Sequence, residues 1–222
     1  VLVSIISALS YPNFSSWRTD RQVSQAAERV ANIFENLTSK SQGGAYPYTQ
    51  FYVCVDTGCE EDANAPANDE PVVRFYGRGL FKQSVATIRN AGLTPECNLL
   101  GTDWTIVDAN NNFSGNDRIS FFQSEEISIH FEREEGAVCF YKDGTFYSTM
   151  GEIVNNIELT LDSGEIINYI IICSRNNATF MGGSCPTEFD AGLEPPAYMI
   201  VWSRFGQITK YRLGRNGNWR IY

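Results

Sequence analysis

The sequence predicts an α+β chain in which a long N-terminal helix packs on a strand-rich, antiparallel globular head. Three observations carry this prediction. An uncharged run from Val1 to Trp17 passes into a one-sided apolar stripe, Val23, Ala26, Ala27, Val30, Ile33, Phe34 and Leu37, at steps of one, three and four. After Gly43-Gly44 the chain breaks into short β-branched and aromatic segments. Two of those segments alternate apolar and polar residues, the mark of strands with one buried face.

The helix comes first. At ~1.5 Å per residue, about forty helical residues measure roughly 60 Å, more than a head of this size can cover. One end must therefore stand outside. Leu2, Val3, Ile5, Ile6, Ala8 and Leu9 surround the helix instead of lining one side, so the first end is the one expected to project. We divide the chain into 1–42, the helix, and 43–222, a β-rich head. Within the helix, 1–17 suits a membrane or filament core and 18–42 packs on the head. A spanning helix needs ~20 apolar residues, so the apolar segment is expected to extend upstream of Val1. A secretory signal would place its basic residues before the apolar run, whereas the first one here, Arg18, follows it. Gly43-Gly44 reads as the helix C-cap.

Strands are predicted at 46–55, 72–76, 103–108, 118–123, 127–132, 137–142, 157–162, 165–173, 198–203, 208–213 and 218–222, and a short helix at 81–91. Turn chemistry separates most of the later ones: Asp143-Gly144, Ser163-Gly164, Gly206 and Asn216-Gly217. The segment 56–71 is acidic and holds no apolar side chain larger than Ala and Pro, as a surface loop does. In 127–132, Ile127, Ile129 and Phe131 oppose Ser128, His130 and Glu132, which puts His130 on the wet face. An antiparallel sheet under the helix stripe, with a second sheet covering the remainder, satisfies these patterns.

With 222 residues, 43% of them hydrophobic, the chain is long enough for one real core after the helix. Cys54, Cys59, Cys97, Cys139, Cys173 and Cys185 allow up to three disulfides in an oxidising compartment, in any of fifteen pairings. Sequence proximity favours Cys54 with Cys59 and Cys173 with Cys185, leaving Cys97 for Cys139. No short CxxC pair accompanies the single histidine, so zinc is not expected. The net charge of −9 is uneven, because residues 195–222 hold five basic side chains and no acidic one.

A search for catalytic parts finds no GxSxG, P-loop, HExxH or Rossmann glycine pattern, and no enzymatic activity or cofactor is expected. Asp108, Asn110, Asn112 and Ser114 alternate like oxygen ligands for a hard cation. An EF-hand would need Gly at Phe113 and Glu at Ile119, so an Asn-rich turn is the expectation and no metal site is assigned. Sequons at Asn13, Asn36, Asn112 and Asn177 read as chance occurrences.

The stretch Val1–Phe14, VLVSIISALSYPNF, resembles the later part of the N-terminal helix of type IV pilins and type II secretion pseudopilins. Both have an apolar run, a proline within it and then an amphipathic half. The segments FYKDGTFY, IELTLDSGEIINYIII and YMIVWSRFGQITKYRL resemble the strand-rich heads of H-type pseudopilins and FimT-like minor pilins. The resemblance implies a filament subunit whose core helix carries Val1, Leu2, Val3, Ile5, Ile6, Leu9, Pro12 and Phe14. Its partners would be other pilin subunits, and the inner membrane before assembly. It would end in an extracellular filament or a periplasmic pseudopilus. The family's conserved early Glu would lie upstream of Val1.

The tail from Trp202 to Tyr222 interleaves Arg204, Lys210, Arg212, Arg215 and Arg220 with aromatic rings, as a nucleic-acid surface does. FimT-like pilins of DNA uptake carry Gly-Arg-x-Arg there, and this chain has Gly214-Arg215-Asn216-Gly217, without the second Arg. The competing expectation is a hairpin whose basic residues meet the acidic loop 56–71 of this or a neighbouring subunit.

Overall fold

Helix α1 runs unbroken from Leu2 to Gln42, 41 residues, through Pro12. The computed structural model describes residues 2–55, 72–80, 116–130, 135–141, 146–148, 159–160, 166–178, 185, 196–203 and 206–222, with 2–14 described as helical backbone. The helix ends as its glycines predict. Gly44 takes the left-handed conformation, φ 73°, the Gly43 amide donates to the Ser39 carbonyl at 2.8 Å, and the Ala45 amide donates to that of Lys40 at 3.0 Å.

Two antiparallel sheets follow. The first has the strand order β3-β2-β1-β5-β6, from β1 (Tyr48–Val55), β2 (Val73–Leu80), β3 (Asn116–Ser124), β5 (Glu135–Tyr141) and β6 (Phe146–Ser148). The second has the order β11-β10-β9-β8-β4, from β4 (Ile127–His130), β8 (Ile166–Ser174), β9 (Ala197–Trp202), β10 (Ile208–Leu213) and β11 (Trp219–Ile221). The two-residue strand β7 (Leu159–Thr160) joins β8, and a one-turn helix α2 (Arg175–Ala178) follows β8. The predicted helix at 81–91, the predicted strand at 103–108, and the Asp-Gly and Ser-Gly turns lie outside the described residues.

The helix stripe is the floor of both sheets. Val23, Val30, Phe34 and Leu37 are fully buried, with Ala27 nearly so, in one cluster that includes Phe51, Phe75, Phe140, Ile129, Ile170, Ile172, Ile200 and Trp202. Phe34 joins the two sheets: its ring stacks on Phe51 of the first at 4.1 Å and on Trp202 of the second at 4.8 Å. Strand β2 runs on past the predicted end at Tyr76 to Leu80, paired with β1 and β3 on either side, and its two glycines let other groups come close. A Cβ on Gly77 would stand 3.1 Å from the Ile33 side chain, so the helix approaches the sheet where side chains are missing.

A second cluster lies on the far face of the second sheet, where Tyr169, Ile171, Cys173, Met199, Val201 and Leu213 are buried with Cys185. The Cys173–Cys185 disulfide fastens that layer. The Cys185 amide donates to the Ile129 carbonyl at 3.1 Å along the edge of β4, and Cys185 itself belongs to the cluster on the face of β4 expected to be wet. The expectation of an exposed His130 is therefore corrected: it is half-buried, its ring centroid 6.5 Å from that of Tyr169, and Ser128 is buried as well. Burial pushes the His130 pKa below its usual 6.5, so the imidazole is neutral at neutral pH.

Cys54 and Cys139 are also disulfide-bonded. In register Cys54 faces Glu135 and Cys139 faces Gln50, an offset too long for one bridge between them. Their partners thus lie outside the described residues, as do Cys59 and Cys97.

Candidate functional site

The basic tail folds back on the helix. Strand β10 sits beside β9 with Ile208 opposite Trp202, Lys210 opposite Ile200 and Arg212 opposite Tyr198. Trp202, Ile200 and Tyr198 belong to the central core, so strand alternation turns Lys210 and Arg212 toward α1 as well. In β11, Arg220 pairs with Arg212, and Tyr222 follows on the same face.

Asp20, Ser24 and Glu28 stand at successive steps of four on α1 and so form one polar row beside the apolar stripe. The row meets the strands residue for residue. Arg212 Nη2 donates to both Asp20 oxygens at 3.0 and 2.8 Å, and Lys210 Nζ donates to both Glu28 oxygens at 2.7 Å. The hydroxyls of Ser24 and Tyr222 share a hydrogen bond of 3.3 Å. The Tyr198 hydroxyl, its pKa raised chiefly by burial, stays protonated and donates to Asp20 at 3.2 Å. The sequence expectation that the acidic loop would receive these cations is corrected for Lys210 and Arg212, whose partners are carboxylates on the helix of the same chain. Arg204 and the 56–71 segment lie outside the described residues.

Beyond this seam, where α1 emerges from the head, a cleft of about 590 Å³ opens between the helix and the β10–β11 hairpin. Ser16, Trp17, Asp20, Arg212, Arg215, Arg220, Ile221 and Tyr222 are among its walls. Three of the walls are large exposed apolar groups: Trp17 at 57%, Ile221 at 76% and Tyr222 at 54%. Arg215 and Arg220 are exposed and make no ion pair among the described residues. The hairpin is held by the Gly214 amide donating to the Asn218 carbonyl at 2.9 Å, with Gly217 at φ 78°.

Of the residues singled out in the sequence, the structure brings Lys210, Arg212, Arg215 and Arg220 to one end of the head. Leu2 to Phe14 continue α1 away from the buried stripe as helical backbone; their side chains, and Val1, lie outside the described residues. Asp20, Ser24 and Glu28 were missed. Their spacing was legible, since two acids flank a Ser at helical steps, but a reading that tracks only apolar positions passes over it. The sequon at Asn36 is an unfavourable acceptor, its amide donating to the Ser120 hydroxyl at 3.1 Å within a helix.

Among the described residues no group of His, Cys, Asp and Glu could hold a metal ion, and no helix is long and apolar enough to cross a membrane. No family model, curated protein or solved structure matches the chain.

Proposed function

We propose that the chain is a structural subunit of a type IV pilus-like filament, held in the inner membrane before assembly and packed helix to helix within the filament afterwards. The observation that carries this reading is the division of α1. Its apolar stripe is buried from Val23 to Leu37, while Ser15, Ser16, Trp17 and Arg18 are all exposed and the helix continues from them to Leu2. At ~1.5 Å per residue, some fifteen further residues extend the helix by roughly 25 Å. That extension is the uncharged run, and an apolar helix needs lipid or neighbouring helices around it. Secretion pseudopilins share this design, and the same cover serves both.

The nucleic-acid alternative is weaker, since Lys210 and Arg212 are already neutralised by Glu28 and Asp20. It retains Arg215 and Arg220.

Ile6→Asp tests the reading. In sheared filaments and membrane fractions probed with antibody, the parent chain is expected in both and Ile6→Asp in neither, with the thermal unfolding of the head unchanged. Recovery of Ile6→Asp in filaments and membranes at the parent level would overturn the proposal. Copy counting by quantitative mass spectrometry of the same filaments separates a shaft subunit from a tip subunit.

A further inference from the structure

We propose that the end of the head from which α1 emerges is a docking surface for the anionic phospholipid headgroups of a membrane, formed by Trp17, Arg21, Arg215, Arg220, Ile221 and Tyr222. This rests on the membrane-held state in the filament reading and adds to it how the head sits before assembly. Position is the first argument. Trp17 closes the uncharged run on α1 and is exposed, so it stands where an aromatic side chain meets the headgroup level if the run is in lipid. Ile221 and Tyr222 come from the far end of the described chain to the same cleft.

Charge is the second. Arg21 lies over the Trp17 ring at 5.5 Å, and Arg215 and Arg220 line the cleft. The one acid among the lining residues, Asp20, is paired with Arg212 at 2.8 Å. The surface is therefore cationic on a chain whose net charge is −9. An anionic membrane repels the rest of the head and attracts this end, which orients the molecule as well as holding it.

Rigidity is the third. Tyr222 is fixed by Ser24 at 3.3 Å and by the Tyr198 ring at 5.4 Å, so the surface is formed without lipid and loses little freedom on docking. A nucleic-acid site would also use basic and aromatic groups, but Ile221, a bare aliphatic side chain at 76% exposure, has no base to stack with and suits an acyl boundary.

The test is flotation of the full chain with phosphatidylcholine vesicles and with vesicles containing about a third phosphatidylglycerol. The parent chain is expected to bind both, and to prefer the anionic vesicles by on the order of tenfold at low salt, the preference shrinking as salt is raised. Arg215→Gln with Arg220→Gln should remove most of the preference, Arg21 keeping a remnant, and leave binding to phosphatidylcholine intact. Equal binding of the parent to both vesicles, or a preference that the double substitution leaves at the parent level, overturns the docking surface alone. Failure to bind phosphatidylcholine at all overturns the membrane-held helix, and the surface with it. If the double substitution keeps the lipid preference and instead abolishes self-association or capture of a single-stranded oligonucleotide, the cleft belongs to a second copy or to nucleic acid and the proposal falls.

Discussion

Lys210 Nζ lies 2.7 Å from both carboxylate oxygens of Glu28, a residue 182 positions earlier in the chain. The contact ties β10 to the helix at the edge of the core, one helical turn from the Ser24–Tyr222 bond and two from Asp20–Arg212. Both ion pairs are partly exposed, so solvent screens them, and each is worth ~1 kcal/mol or less. Their use is registration: the pairing fixes which residue of β10 faces which turn of α1.

A double-mutant cycle of Glu28→Gln and Lys210→Met should give a coupling of about 0.5–1 kcal/mol in urea denaturation. The coupling should shrink at high salt. A value indistinguishable from zero at low salt would mean that the pair is not formed in solution.

Phe34→Ala should cost about 3–5 kcal/mol, since it removes the ring stacked between Phe51 and Trp202 and leaves a cavity between two sheets. Trp17→Ala, at an exposed position, should change stability by no more than ~0.5 kcal/mol. Guanidinium unfolding followed by near-ultraviolet circular dichroism checks both. Equal losses for the two variants would contradict the burial pattern.

Acid should destabilise the head partly through His130. Burial lowers its folded pKa below the usual 6.5, so the unfolded chain binds the extra proton first as pH falls. The neutral imidazole's contribution is complete above pH 6.5 and is lost as pH drops through that value and on past the folded pKa. His130→Gln should therefore lose less stability than the parent between pH 7 and about 5, measured as the shift in urea midpoint. An identical loss in both proteins would place His130 in an unburied setting.

Much of the fold was legible. The apolar stripe gave the helix face, the two glycines gave its end, and β10 matches its predicted limits of 208–213. Asn216-Gly217 marked the last hairpin. What the sequence did not disclose is long-range. Nothing local says that β1 sits between β2 and β5, or that β3 and β4, separated only by Glu125 and Glu126, enter different sheets. His130 was misplaced because strand alternation reports one covered face, and the second cover, Cys185, arrives from 55 residues further along. At the candidate site the basic residues were found, while their partners on α1 were not, because cations in a strand carry no sign of which helix row they will meet.

The seam between α1 and the late strands also sets an order of events during synthesis. Its bonds join residues 178 to 198 positions apart, whereas the first sheet reaches the helix early: Thr49 donates to the Leu37 carbonyl only 12 positions away. A ribosome therefore delivers the helix and the first strands long before Tyr198, Trp202 and Lys210 exist. Throughout that interval one flank of the stripe has no protein to cover it, and loop closure over nearly the whole chain must precede its burial. The nascent chain thus spends most of its synthesis as a sticky half-head. Only when the last hairpin swings onto the helix is that flank covered by the chain's own residues.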